Sequence, residues 1–315
     1  MRPSAIRPAL ACPLCHHDLA GANGADLSCH GCGRTYPALP GGRWDFRPGP
    51  GETIRYERRY SPADYAKALQ APLGMERPSV PPRNDFGDSV PVHLTPAQVS
   101  YLPAARPGQV AVDLGCGHGE QRSVLERLGY ACWAIDYEGG EADDLVDAHL
   151  IPLRDGAVDL VMSIAVLEHL ADPVRAASEV ARVLKPGGAF IGTVAFLEPF
   201  HDNSFFHCSH LGVSWILNMG GFEVEAITPI PSWDVVRAQI EMEVGAMGRP
   251  AQTMARVLSA PFVWALEGYG AIGRRVARSR QRYERSLLRA RHAGAFFFVS
   301  RRAGRHDAEP ARRDR

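Results

Sequence analysis

Val110-Ala111-Val112-Asp113-Leu114-Gly115-Cys116-Gly117-His118-Gly119 decides the fold of this chain. Apolar, β-favouring residues lead into an acid and then into a bend with glycine at every second position. Residues 120–128 follow with helix-compatible spacing. A strand, a tight turn and a helix N-terminus in succession open a nucleotide-sized crevice in an α/β sheet. Glycine belongs there because the backbone must turn sharply and approach a ligand with no Cβ in the way. The next apolar run, 131–135, ends at Asp136. A carboxylate at the tip of a second strand is placed to accept hydrogen bonds from two ribose hydroxyls.

Glycines at 115, 117 and 119 with Asp113 before them resemble the D-x-G-x-G-x-G signature of class I S-adenosylmethionine-dependent methyltransferases. A nicotinamide site would show G-x-G-x-x-G instead. Further matches follow in order: Asp147-Ala148, Ile151-Pro152-Leu153, the run 158–163, Leu167-Glu168-His169-Leu170, Asp172-Pro173 and Val183-Leu184-Lys185-Pro186-Gly187-Gly188. Their order and spacing are similar to the subfamily that includes the ubiquinone and menaquinone biosynthesis methyltransferases, closely over 110–194 and loosely over 206–224. The resemblance implies an α/β fold with a Rossmann-like seven-stranded methyltransferase sheet, to which the cysteine spacing adds an N-terminal zinc ribbon and the sixty or so residues between the last two strands add a helical insert before the last strand.

It also implies S-adenosylmethionine as cofactor and a role for each matching residue. Asp113, Gly115 and Gly117 shape the methionine pocket, with Leu114 and Cys116 in the same turn. Asp136 holds the ribose, with Tyr137 beside it. Asp147 takes the adenine amino group, with Ala148 next to it, and Ser163 lines the pocket below the methyl. His169 is the first candidate for general base, because histidine alone titrates near neutrality when unperturbed; capping of a helix start is the other reading. Glu168 orients the acceptor or binds a cation. The quinone O-methyltransferases carry an extra acid three residues before Glu-His; Ala165 stands there, so no magnesium ion is expected. His207 and His210, which follow strand five with His201, Phe200, Phe205 and Phe206, are expected at the acceptor site. Ser163-Ile164-Ala165-Val166 replaces the Asn/Asp-Pro-Pro-aromatic segment of enzymes that methylate adenine amines or glutamine amides.

Four of the seven cysteines form Cys12-x-x-Cys15 and Cys29-x-x-Cys32, thirteen residues apart. Two such knuckles read as one tetrahedral zinc site, and four thiolates leave no open coordination position, so the zinc is structural. His16, His17 and His30 read as surface residues, and Cys116 and Cys132 as small core fillers. The continuation from Gly33 to Gly42 resembles a small zinc-ribbon family found beside, or fused to, methyltransferases that act on translation components. It also resembles the ribbon of some bacterial ribosomal-RNA guanine methyltransferases.

With 315 residues the chain suits one large or two modest domains, and 45% hydrophobic content is enough for a buried core. No apolar run is long enough to span a bilayer, and Met1-Arg2-Pro3-Ser4 lacks the core of a secretion signal, so a cytoplasmic protein without disulfides is expected. Net charge is zero, but residues 274–315 carry 14 Arg or Lys against 4 Asp or Glu, a net of +10. Such an end meets RNA, anionic lipid or an acidic partner, or is a solvated helix and tail.

The expected domains are the ribbon, 1–47; a linker and helical cap, 48–105; the methyltransferase domain, 106–303; and a disordered basic tail, 304–315. In the cap, 54–70 has helical spacing with Tyr56, Tyr60 and Tyr65, 72–91 reads as an irregular flap, and 94–102 as a helix with Thr95 as N-cap and Pro96 at N1. Strands are expected at 110–114, 131–136, 145–147, 158–163, 189–194, 222–228 and, antiparallel beside the sixth, 295–300. A helix over 173–184 should stop at Lys185-Pro186-Gly187-Gly188. The insert, 231–292, reads as two or three helices broken near Pro250 and Pro261. Its aromatic run 261–269 fits either a core-facing stripe or an interfacial membrane helix.

Three functions follow. The first is methyl transfer to a small or lipid-linked acceptor, at oxygen. The second is RNA methylation, with ribbon and arginine-rich insert on the phosphates, which a steep salt dependence would reveal. The third is a cofactor-binding scaffold that recruits a partner protein through its ribbon.

Overall fold

The computed structural model describes residues 2–22, 24–49, 51–54, 61–70, 94–199, 203–230, 233–244, 249–276 and 285–304. The segment 72–91, Tyr56, Tyr60 and the tail 305–315 lie outside the described residues.

Short strands build the N-terminal ribbon. β1 (Leu19–Ala20), β2 (Leu27–Cys29) and β3 (Thr35–Tyr36) pair antiparallel, and β4 (Ala38–Leu39) pairs with β5 (Arg43–Trp44). Two capped helices follow. Ser61 and Asp64 form a capping box on α1 (Pro62–Leu69), and Thr95 and Gln98 do the same for α2 (Pro96–Val99), with proline at the first helical position of each.

Seven strands make the main sheet: β6 (Val110–Leu114), β7 (Ala131–Asp136), β8 (Asp144–Leu145), β9 (Val158–Ile164), β10 (Leu184–Ala195), β11 (Phe222–Pro229) and β12 (Ala295–Arg302). Their order is β11-β12-β10-β9-β6-β7-β8, and only β12 runs antiparallel, slotted between β10 and β11. This is the Rossmann-like methyltransferase sheet. Strand order reverses between β6 and β9, and their carboxyl ends flank the crevice where such sheets bind ligands.

Helices α3 (Arg122–Arg127), α4 (Pro173–Val183) and α5 (His210–Met219) help cover the sheet. With both faces covered, strand residues alternate between two apolar cores. Val112, Ile135, Phe190 and Phe298 enter one; Ala111, Leu160, Ile191 and Phe297 enter the other. That is why β12 is apolar at successive positions.

Several boundaries depart from the sequence expectation. α3 begins at Arg122. The third strand is Asp144–Leu145, because the Val146 amide still bonds the Asp136 carbonyl at 2.8 Å and the chain then turns away. Lys185-Pro186-Gly187-Gly188 does not close α4. Leu184 is already extended, and the tetrapeptide is an irregularity inside β10, with Gly187 at φ +74° and a register shift before Ala189. The insert forms α6 (Val235–Val244), α7 (Arg249–Val276) and α8 (Arg285–Arg291). Pro250 sits in the first turn of α7, where its missing N–H costs nothing. Pro261 lies inside α7 and does not break it; packing on α6 outweighs the lost hydrogen bond.

The ribbon docks on the β8 edge of the sheet. The Phe46 amide donates to Leu145 O at 2.9 Å, and Asp45 bridges Leu145 in parallel. Ile6, Leu10, Tyr36, Trp44 and Phe46 belong to the same apolar core as β6 and β7. Below them the buried Asp144 carboxylate accepts from Trp44 N at 2.7 Å, Trp133 Nε1 at 2.9 Å and Arg2 Nε at 2.5 Å.

Candidate active site

β6 delivers its bend to the crevice. Gly115, Gly117 and Gly119 have φ of +73°, +51° and +76°, the left-handed region that glycine enters without steric cost. Space constrains Gly115 as well: a Cβ there would lie 2.4 Å from Val166 Cγ2. The Gly115 and Cys116 amides donate to Ile135 O at 2.8 and 3.1 Å, and Gly117 N donates to Asp136 Oδ2 at 2.8 Å. The bend is therefore locked to the tip of β7.

Asp113 sits beneath it, 1% exposed, and among the described residues neither of its carboxylate oxygens has a hydrogen-bond partner. Burial pushes its pKa up to about 7; Arg122 opposes the rise, and the charges of Asp136 and Glu120 add to it. A buried carboxyl with open oxygens at a ligand crevice is what a cationic ligand group, such as the ammonium of a methionine moiety, would satisfy. Ser163 Oγ, at the end of β9, is also buried and unpartnered among the described residues. Leu114, Cys116 and Ala148 are buried.

On the β8 side, Asp147 Oδ1 accepts from the His149 amide at 2.9 Å and pairs with His149 Nδ1 at 2.6 Å. Burial alone would raise its pKa, but these hydrogen bonds outweigh it and hold the acid below the usual carboxylate range. His149 Nε2 accepts from Asp172 N at 3.2 Å, which leaves the ring proton on Nδ1, facing Asp147. Tyr137 is half-exposed, and its carbonyl accepts from Arg47 Nη1 at 2.9 Å. Tyr137 and Asp147 line an open cleft of about 730 Å³ whose opposite wall is Arg34, Tyr36, Asp45 and Arg47. The ribbon thus closes the sheet end of the crevice.

On the other side of the bend, a cavity of about 270 Å³ opens over β9 and β10, lined by Ala165, Glu168, Thr193 and Ala195, with Trp233 just before α6 and Arg237 and Glu241 from it. Ala165 holds φ +55°, unusual for a residue with a Cβ, and its amide donates to Thr193 Oγ1 at 2.9 Å. Glu168 is fully buried and its Oε1 accepts from Ala195 N at 3.2 Å.

Of the four residues predicted for catalysis, Glu168 is the one that lines this cavity. His169 ends the short helical turn Leu167–His169, half-buried. His207 Nδ1 lies 3.1 Å from Phe196 O, and His210 packs edge-on to Phe296, its pKa lowered by burial. His201 lies outside the described residues. Sequence reasoning missed Trp233, Arg237 and Glu241, which belong to no motif; the helical insert after strand six, in which they lie, was the available signal. Trp233 Nε1 donates to Glu198 Oε2 at 2.7 Å, and Arg237 Nε to Glu241 Oε1 at 2.6 Å.

In the ribbon, the sulfurs of Cys12, Cys15, Cys29 and Cys32 lie within 4.8 Å of one another, with Cys15–Cys29 at 3.3 Å and Cys12–Cys32 at 3.7 Å. A tetrahedral zinc with bonds of about 2.3 Å needs sulfurs about 3.8 Å apart, so the set fits one ion. Burial would raise the Cys29 thiol, but the Cys32 and Gly31 amides and the Cys15 thiol outweigh it and bring it down, whereas Cys15 and Cys32 are raised by sharing that charge, so a bound metal would displace the protons these thiols keep.

Residues 112–192 match the family model of a methyltransferase domain. A probable S-adenosylmethionine-dependent methyltransferase of Mycolicibacterium smegmatis is 28% identical over 145 residues, covering 38% of this chain and 53% of that one. A ubiquinone biosynthesis O-methyltransferase of Xanthomonas campestris is 32% identical over 128 residues, 34% of this chain and 54% of that one. The chain therefore spans about half the length of these relatives. Among solved structures, an S-adenosylmethionine-dependent methyltransferase from Mesorhizobium loti aligns with 66% of this chain and 96% of its own, at 16% identity and a TM-score of 0.39. The matched segment spans β6 to β10 of the sheet, whose strand order is that expected of a methyltransferase fold.

Proposed function

We propose that this chain is an S-adenosylmethionine-dependent methyltransferase acting on a small or lipid-linked acceptor, at oxygen. The observation that carries the reading is the buried Asp113 carboxyl, open on both oxygens, behind a glycine bend at the switch point of the sheet. The relative named for ubiquinone O-methylation supports the choice of acceptor. The bound cofactor supplies a sulfonium methyl for in-line displacement. Asp113, Gly115 and Gly117 take its methionine end, with Leu114 and Cys116 packed behind the turn. Asp136, with Tyr137 beside it, takes the ribose; Asp147 and Ala148 take the adenine; Ser163 stands below the methyl.

Glu168 is the residue we assign to accept the proton of the acceptor hydroxyl. It lines the cavity at the ends of β9 and β10, and the Ala195 amide fixes one of its oxygens. His169, His207 and His210, which do not line that cavity, are assigned no step in the transfer. Cys12, Cys15, Cys29 and Cys32 hold a structural zinc, which supplies no chemistry to the transfer.

Titration calorimetry with S-adenosylmethionine tests the pocket: binding is expected for the native chain, and Asp136→Ala should weaken it about tenfold or more. Methyl groups from labelled cofactor, offered with a cell extract, should then appear in the lipid-soluble or small-molecule fraction. Label confined to RNA would overturn the acceptor assignment, and absence of cofactor binding would overturn the whole reading.

A further inference from the structure

Helix α7 runs through 28 residues, about 42 Å, and carries an apolar face that nothing among the described residues covers. Val257 is 65% exposed, Trp264 78%, Ile272 64% and Val276 77%. Met254, Leu258 and Tyr269 are exposed as well. Stepped at 100° per residue, these positions fall within one arc of about 140°. Ala255 and Ser259, which are buried, lie on the side that packs toward α6. The aromatic run at 261–269 is therefore not a core stripe along its whole width: Trp264 points away from the core. No described helix is long and apolar enough to cross a membrane, so a span is not the explanation.

Charge identifies the occupant. From Arg274 to Arg291 the sequence carries eight arginines and one acid, Glu284. Within α7 the one acid, Glu267, is spent on Arg289 of α8. An apolar helical face running into a dense basic segment complements an anionic lipid surface, the apolar side chains entering the acyl boundary and the guanidinium groups meeting phosphates. A protein partner would need no such uniform charge, and RNA would leave the apolar arc wet.

The same helix leads to the acceptor. A cavity of about 700 Å³ between α6 and α7 is lined by Phe262, Val263, Trp264 and Leu266, and it shares Ile230, Trp233 and Arg237 with the cavity that holds Glu168. Trp264 belongs both to the exposed arc and to this larger cavity, which places the cavity's mouth on the apolar face.

We propose that α7 is a membrane-interface helix: it lies flat on an anionic bilayer through its apolar arc, with Arg275 among the arc's side chains to meet lipid phosphates, and it admits a lipid-soluble acceptor from the bilayer into the cavity between α6 and α7. The second half of this statement rests on the methyltransferase reading; the first does not.

Sedimentation of the full chain with vesicles tests it. Binding is expected to vesicles of equal parts phosphatidylglycerol and phosphatidylcholine, much weaker binding to phosphatidylcholine alone, and release by salt. The pair Leu258→Glu and Trp264→Glu, both at exposed positions, should weaken vesicle binding about tenfold or more while calorimetry still shows native cofactor affinity. Arg275→Glu, which falls within the arc, should do the same on anionic vesicles only. Trp264→Phe provides a check that leaves the apolar face intact: vesicle binding persists, but part of the blue shift of tryptophan emission on binding disappears. No sedimentation with anionic vesicles overturns the proposal. So does light scattering that finds a dimer which Trp264→Glu dissolves, or binding to RNA in place of vesicles. Loss of cofactor binding with vesicle binding retained would refute the methyltransferase reading and leave the docking surface standing.

Discussion

Asp113 illustrates how one side chain couples cofactor, pH and stability. Its folded-state pKa of about 7 lies above the value of about 3.9 expected in the unfolded chain. Its contribution to stability is therefore fully present below about pH 4 and is lost as pH rises through about 7. A cationic ligand reverses the preference, since it requires the carboxylate. Affinity for S-adenosylmethionine should accordingly rise as pH climbs through 7, and Asp113→Asn should flatten that profile and lower affinity about tenfold or more. Calorimetry at pH 6 and pH 8 decides it; an affinity in the native chain that ignores pH would refute the assignment. Gly115 and Gly117 make a second contrast at this scale. Alanine at Gly117 meets only the left-handed backbone penalty, about 1–2 kcal/mol, because nothing lies within 4 Å of the added Cβ. Alanine at Gly115 must also displace Val166, so its thermal midpoint and its cofactor affinity should fall further than those of Gly117→Ala. Equal effects on both would show that the close packing at Gly115 is unimportant.

Elements were legible in the sequence wherever one local signal agreed with the tertiary setting. β6, β7 and β9 read correctly because burial on both faces makes them continuous apolar runs, each ending where the chain turns into the crevice. Thr95 and Pro96 announced α2 through capping chemistry alone. Readings failed where tertiary contacts override local preference. Proline and glycine after α4 suggested a stop, but Leu184 already pairs with Val158, so the irregularity falls within a strand. Pro261 suggested a break, yet α7 continues through it. The cavity over Glu168 was half legible for the same reason: its sheet residues carry a motif, whereas Trp233 and Arg237 arrive from an insert that none describes. α7 yields a test of the override. Its interior proline forfeits one hydrogen bond and crowds the preceding turn, a cost of up to about 3 kcal/mol. Pro261→Ala should raise the thermal midpoint by a few degrees in a fluorescence melt. A lower midpoint would mean that Pro261 bends α7 into its fit on α6.

At the scale of the whole molecule, the four-cysteine ribbon and the sheet share one packed core. Ile6, Leu10, Trp44 and Phe46 share an apolar core with Trp133 and Ile135, and Asp144 of the sheet edge is held by Arg2 and Trp44 of the ribbon. Arg47, at the ribbon's exit, grips the Tyr137 carbonyl one residue from Asp136 and faces Asp147 across the cleft. A structural metal in such a ribbon stabilises more than the ribbon. Removing it releases four thiolates that then repel or protonate, frees β1 to β3, and uncovers Leu145 and the Asp144 carboxylate. The energy at stake, about 10 kcal/mol for a structural zinc, corresponds at about 2 °C per kcal/mol to a fall of about 20 °C in thermal midpoint for a chain of this size. Chelation, or Cys12→Ser with Cys15→Ser, should therefore lower a single calorimetric transition as a unit. It should also weaken S-adenosylmethionine binding, although no cysteine of the set reaches the glycine bend. Zinc returned to the chelated protein should restore both. If instead the melt split, with one small transition lost and the larger unmoved at native cofactor affinity, the ribbon would be an appended module and its Arg47 contact incidental.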